Sequence, residues 1–394
     1  MPVKSIQTMK YNFDEIIPRR NTNCYKWDSA TSDEILPMWV ADMDFRTAPS
    51  VIEAFIRRAQ HGVFGYTKPP TAYYDSIINW FERRHRFPIR KEWILNTTGV
   101  VPALSAIIKA LTNPGDRVII QTPVYNCFFS SIRNNGCEIV TNDLIYKDAV
   151  YRIDFEDLEK KASDVKAKLL LLCSPHNPVG RVWTKEELCR IGEICLRNKV
   201  IVISDEIHCD IVYAGCQHIP FATVCDEFLL NSVNCTAPSK TFNLAGVQAA
   251  HIIVQDGALR RKINKALNIN EVCEINAFAV EAVIAAYNEG DEWLEALKTY
   301  LFDNYLFLKQ FLKTELPFVK VLPLEATYLV WMDFSASGQS SGNIANNLMQ
   351  NEQLQVNEGT MYGANGEGFI RLNFACPKAM LEKGLSKIKN QFAT

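Results

Sequence analysis

Between residues 94 and 253 the chain alternates short, continuously apolar runs with stretches of helical period. The runs are 117-RVIIQ, 168-KLLLLC, 200-VIVISD, 232-SVNCT and 251-HIIVQ, and 184-TKEELCRIGEICLRNK is one of the helical stretches. A strand that is apolar on both faces must be covered on both, and interleaved helices are what can cover it. The alternation therefore predicts an α/β unit over 50–285 with a mainly parallel sheet. Ahead of the first full strand, a short strand-like run ends at Asn96, and Gly99 opens an apolar helix, VVPALSAIIKAL, that closes at Asn113-Pro114-Gly115. Over 286–394 the character changes: a long amphipathic helix, DEWLEALKTYLFDNYLFLKQFLKTEL, leads to short strands in 326-ATYLVWMDF and 369-FIRLNF, the pattern of a smaller α+β unit. Residues 1–49 read as irregular and are expected to pack on that smaller unit. A length of 394 residues suits two such units.

Charge and cysteine usage exclude several classes. The net charge is −2 and no run of five or more basic residues occurs, so neither nucleic acid nor an anionic membrane is an expected partner. The start, MPVKSIQTMKYNFDEIIPRR, lacks a leader's apolar segment, and no apolar run is long enough for a bilayer; a cytoplasmic location is expected. The twelve cysteines are scattered, without a Cys-x-x-Cys pair, and the six histidines contain no His-Glu-x-x-His, so reduced thiols and no metal are expected.

In an open α/β sheet, ligands bind past the carboxyl ends of the strands. There the apolar runs are interrupted by 174-SPHNPVG with Asn177, by Asp205-Glu206-Ile207-His208, by 237-APSK with Lys240, by TPVY with Tyr125, and by the helix start at Gly99, Val100 and Val101. Taken singly, Asn177 reads as a turn residue and Asp205 as a helix cap. Their coincidence at successive strand ends, together with a lysine, matches what pyridoxal 5′-phosphate requires. An amine forms the Schiff base, a carboxylate keeps the pyridine nitrogen protonated, an amide holds the phenolate oxygen, helix-start N–H groups hold the phosphate, and an aromatic ring covers the pyridine face. The glycine-bearing 363-GANGEG opens no helix after a strand and reads as a surface turn.

Asn177 in HNPVG, Asp205 in SDEIH, Lys240 in SKTFNLAG and Arg371 in IRLNF resemble the signature of fold-type I pyridoxal-phosphate enzymes, the aminotransferase-like fold, over nearly the whole chain. The segments 37-PMWVADMDF and 174-SPHNPVGRVW resemble the MalY/PatB-like branch, the C–S lyases related to cystathionine β-lyase. The resemblance implies Lys240 as the Schiff-base lysine, Asp205 at the pyridine nitrogen, Asn177 and His208 near the phenolate oxygen, and Tyr125 stacked on the ring. It also implies Ser239 with the amides of Gly99, Val100 and Val101 at the phosphate, and Arg371 on the substrate carboxylate, which its planar fork suits. Tyr66, in 64-FGYTKPP, resembles the tyrosine that reaches the phosphate of a neighbouring subunit, so a homodimer is expected. Three positions depart from the aminotransferase pattern: Gln248 where many carry a phosphate-binding arginine, Ala237 where a hydroxyl is common, and His208 where aspartate aminotransferases carry a tyrosine. The implied activity is β-elimination from a sulfur-containing L-amino acid, a small-molecule substrate, giving thiol, pyruvate and ammonia. The alternatives are an aminotransferase using the same residues and, in another class, a cofactor-binding regulatory protein that acts through a protein contact.

Overall fold

The computed structural model describes residues 11–393; residues 1–10, which carry part of the N-terminal expectations, and residue 394 lie outside it. The larger sheet has seven strands: β1 Ile94–Thr97, β2 Arg117–Ile120, β3 Glu138–Thr141, β4 Ala167–Cys173, β5 Ile201–Asp205, β6 Ser232–Thr236 and β7 Ala250–Ile253. Their spatial order is β1-β7-β6-β5-β4-β2-β3. All neighbours run parallel except β7, which is antiparallel to both β1 and β6. The reason lies in the β6–β7 connection, which holds only a short 3-10 turn, Ala245–Val247, where a parallel return needs a crossover helix. Because β7 reverses twice, β1 points the same way as β6, and the carboxyl ends of β1, β2, β4, β5 and β6 share one edge.

Helices cover both faces of this sheet, as its apolar strands demand. Val100–Leu111, Cys127–Asn134 and Gly257–Ile269 pack on one face; Phe155–Ala162 and Lys185–Arg197 pack on the other. Lys185–Arg197 starts where Thr184 and Glu187 satisfy each other's backbone N–H groups, a reciprocal cap that fixes the helix entrance. β3 escapes the apolar-run criterion because it is an edge strand whose four residues are exposed or half-exposed.

The smaller sheet is antiparallel, with β8 Lys320–Val321, β9 Leu329–Asp333, β10 Asn357–Glu358 and β11 Phe369–Asn373 in the order β8-β9-β11-β10. It follows the long helix Asp291–Glu315. The N-terminal segment lies along it: Leu36–Pro37 pairs with Leu354–Gln355, and Asn373 N–H donates to Met38 O at 2.9 Å. Asn243 ties the same segment to the Lys240 loop, donating from Nδ2 to Met43 O at 2.9 Å and to Phe45 O at 3.0 Å. One apolar core joins this segment, the helices Pro49–His61, Thr71–His85 and Ala277–Glu289, the long helix and the smaller sheet.

The stretch 363–368 is a turn, but not a free surface one. A Cβ at Gly363 would meet Thr122 Cβ at 2.9 Å, and Asn365 Nδ2 donates to Thr122 O at 2.8 Å, so it docks on the loop after β2. Gly359 and Gly366 touch backbone to backbone, with no room for a Cβ on either. That tight closure turns Met361 and Tyr362 towards the shared strand edge.

Candidate active site

At that edge a cavity of about 460 Å³ opens between the two sheets. Lys240, Asp205, Asn177, Tyr125, His208, Ser239, Gly99, Val100, Val101 and Arg371 all line it. Register explains part of this convergence. Cys173 of β4, Asp205 of β5 and Cys235 of β6 are cross-strand partners, so the residues just beyond them leave the sheet side by side. Tyr66 stands apart: it lies in the irregular, exposed stretch between two helices, its own side chain fully exposed, and is not among the cavity's lining.

Lys240 is half-buried and donates from Nζ to Ala41 O at 2.6 Å. Burial, then the positive Arg371, pull its pKa down to about 8. Burial acts oppositely on Asp205, 3% exposed, whose carboxyl is pushed up to about 7 although Ile207 N–H donates to it at 3.2 Å and Lys240 attracts its charge. His208 is held neutral, its pKa lowered to about 3 by burial and by the charges of Lys240 and Arg371. Its Nδ1 is buried with no hydrogen-bond partner. The Tyr125 hydroxyl is raised well above its usual range by burial.

Arg371, 4% exposed, is clamped by Asn177 Oδ1 at 3.2 Å, Trp39 O at 2.7 Å and Asn357 Oδ1 at 3.0 Å, and its guanidinium lies 4.9 Å from the Tyr362 ring centroid. No acid pairs with it, and its Nε is buried without a partner. An arginine desolvated without a carboxylate implies that an anion completes the site. The same clamp settles the Asn177 amide: its oxygen is taken by Arg371, leaving Nδ2 free to donate.

The helix Val100–Leu111 presents its N-terminus to the cavity. Pro102 has no N–H and Ala103 N–H is used by Gly99 O at 3.0 Å, so the amides of Val100 and Val101 remain, with no side chain capping them. The donor set fits pyridoxal phosphate: an amine of lowered pKa, a buried carboxylate, a free amide N–H₂, an uncapped helix start and an arginine without an acid partner. Reading by strand ends passed over the residues that close the cavity from the other side, Tyr25, Trp39, Ala41, Cys127, Asn357 and Tyr362. They follow no parallel strand of the larger sheet, except Cys127, whose signal was its place two residues after Tyr125.

Comparison with known proteins places this geometry. The family described as aminotransferase class I and II matches residues 34–388. Cystathionine beta-lyase PatB of Bacillus subtilis is 46% identical over 382 residues, covering 96% of this chain and 99% of that protein. The crystal structure of Treponema denticola cystalysin, which contains pyridoxal 5′-phosphate, superposes with a TM-score of 0.94 at 36% identity, over 97% of this chain and 99% of that one. A pyridoxal-phosphate-bound C–S lyase from Staphylococcus hominis gives a TM-score of 0.92 at 36% identity, over 98% and 99%.

Proposed function

Since the chain belongs to the aminotransferase class I and II family, we propose that it is a pyridoxal-phosphate-dependent C–S lyase that eliminates the β-thiolate from sulfur-containing L-amino acids. The observation that carries the reading is the single cavity in which Lys240, Asp205, Asn177 and an unpaired Arg371 converge. The relatives, a cystathionine beta-lyase and a C–S lyase, support elimination over amino transfer.

When bound, the cofactor supplies a protonated pyridine ring that accepts the electron pair left on the substrate's Cα. Asp205 would face that ring nitrogen; Asn177 Nδ2 would donate to the phenolate oxygen; Tyr125 would cover one face. The Val100 and Val101 amides with Ser239 would take the phosphate. Arg371 would grip the substrate carboxylate, fixing the Cα–H bond towards Lys240. Lys240 Nζ would take that proton, its pKa of about 8 leaving a useful fraction neutral near pH 7. As the β C–S bond breaks, its electron pair leaves with the thiolate.

The reading extends to assembly and place. Tyr66 would complete the phosphate site of a second copy in a homodimer, a role supported by its exposure and by the exposed Val63 and Phe64 beside it. A cytoplasmic site of action is supported by twelve cysteines that are all free thiols; among the described residues no helix is long and apolar enough to cross a membrane. The test is incubation with cystathionine, following pyruvate and homocysteine. Stoichiometric release of both is expected; keto-acid-dependent amino transfer without pyruvate would overturn the lyase assignment.

A further inference from the structure

A second cavity, of about 280 Å³, opens away from the Lys240 site; His85, Cys209, Asp210 and His218 line it together with Arg83, Arg84 and Lys298. His85 ends the helix Thr71–His85, while Cys209 and Asp210 lie in the turn just past Asp205. One ligand atom from each of these three buried residues falls within 4.8 Å of the others. His218 packs beside them, 5% exposed, with its ring centroid 5.5 Å from that of His85, but lies outside the three-residue cluster. Neither His218 nitrogen has a hydrogen-bond partner. Its Nε2 stands 3.4 Å from Glu206 Oε2, at ion-pair distance.

We propose that this cluster binds a divalent transition-metal ion of the zinc class, with His85, Cys209 and Asp210 as its protein ligands and water in the fourth position. Imidazole, thiolate and carboxylate together suit zinc's borderline softness, whereas magnesium and calcium prefer oxygen alone. Tetrahedral bonds of about 2.0–2.3 Å set ligand atoms roughly 3.3–3.8 Å apart. The ligand atoms of His85, Cys209 and Asp210 lie within 4.8 Å of one another, and the His85–Asp210 hydrogen bond of 2.7 Å would open to that spacing, an adjustment on the ångström scale. Asp210 is already oriented from behind by Trp80 Nε1 at 3.1 Å and Thr241 Oγ1 at 2.8 Å, as a ligating carboxylate should be. Arg84 Nε lies 4.0 Å from Asp210, but its positive charge is shared with Asp291 at 2.8 Å and Glu295 at 2.6 Å. As the metal bonds form, the Cys209 thiol proton and the proton that His85 Nε2 donates to Asp210 leave to solvent. Thr241 is the neighbour of Lys240, so the ion would anchor the loop that carries the reactive amine.

The test uses the full chain with its cofactor, freed of metal by a chelator and titrated with Co²⁺, then with Zn²⁺. About one Co²⁺ per chain is expected, with the visible d–d bands of a tetrahedral site, displaced by Zn²⁺. Cys209→Ser and His85→Gln should each weaken Co²⁺ binding more than about tenfold, whereas Cys216→Ser, at an exposed thiol on the cavity rim, should not. Less than about a tenth of an equivalent bound by the unsubstituted protein, a stoichiometry that needs no variant to fold, would overturn the site. So would binding that survives in both ligand variants, or that is lost with Cys216 alone. None of these readouts depends on lyase activity.

Discussion

Two lysines of this molecule bear on the same short segment, residues 39–44, and are held in opposite states. Lys26, 1% exposed, places Nζ 2.6 Å from Asp44 Oδ2 and 3.4 Å from Asp42 Oδ1, and Arg19 bonds both carboxylates as well. Burial opposes its charge, yet the two acids outweigh burial and hold it above the ordinary lysine range. Lys240 has no such partner; it meets the carbonyl of Ala41, and burial with the nearby Arg371 lowers it. A carboxylate within contact makes a lysine a structural cation, and its replacement by a peptide carbonyl makes one that can give up its proton.

Removing each amine should separate the two roles. Lys240→Ala is expected to lower turnover by about 10³- to 10⁴-fold and to abolish covalent cofactor attachment, with an unfolding midpoint close to that of the parent. Near-normal turnover would take the reactive role away from Lys240. Lys26→Met should do the reverse, costing about 3–5 kcal/mol in urea unfolding because the buried Asp44 and the half-buried Asp42 lose a partner, while turnover per folded molecule stays put. A loss below about 1 kcal/mol would mean that Arg19 alone satisfies Asp42 and Asp44.

Asp205→Asn tests whether the other pole of the Lys240 site is electrostatic. An amide cannot stabilise a ring N–H⁺, so turnover should fall on the order of 10²-fold with cofactor still bound; cofactor loss with intact turnover of the remainder would point to a holding role only. Arg371→Lys keeps the charge and removes the fork, and should raise KM about ten- to a hundredfold with less effect on kcat. The smallest effect is in pH. In protein stripped of cofactor, Lys240 is protonated below its lowered pKa and neutral above it. Attachment of added pyridoxal phosphate should therefore quicken as pH rises through about 8 and level off beyond it. A rate still climbing at the ordinary lysine value of about 10.4 would contradict the lowering.

Much of this site could be read from the chain because the apolar runs that must be buried also mark where the strands end. Asn177, Asp205 and Lys240 needed no knowledge of distant contacts, since parallel neighbours bring their strand ends together by register alone. The direction of β7 and the edge strand β3 were not readable: one depends on a short return between strands, the other on half-exposed residues.

What the sequence by itself determined was the α/β alternation, the strand-end residues and the chemistry they suit, because burial of both sheet faces imposes a short-range pattern that the residues display openly. Only the tertiary structure decided that Ala41, 199 residues away, supplies the acceptor for Lys240, and that the 363–368 turn docks beside Thr122. It alone set His85 against Asp210 across 125 residues, with His218 beside them facing Glu206. Those contacts pass through backbone carbonyls, glycine-tight turns and side chains on unconnected elements. Chain closure brings them together, and no local spacing records which distant groups will meet.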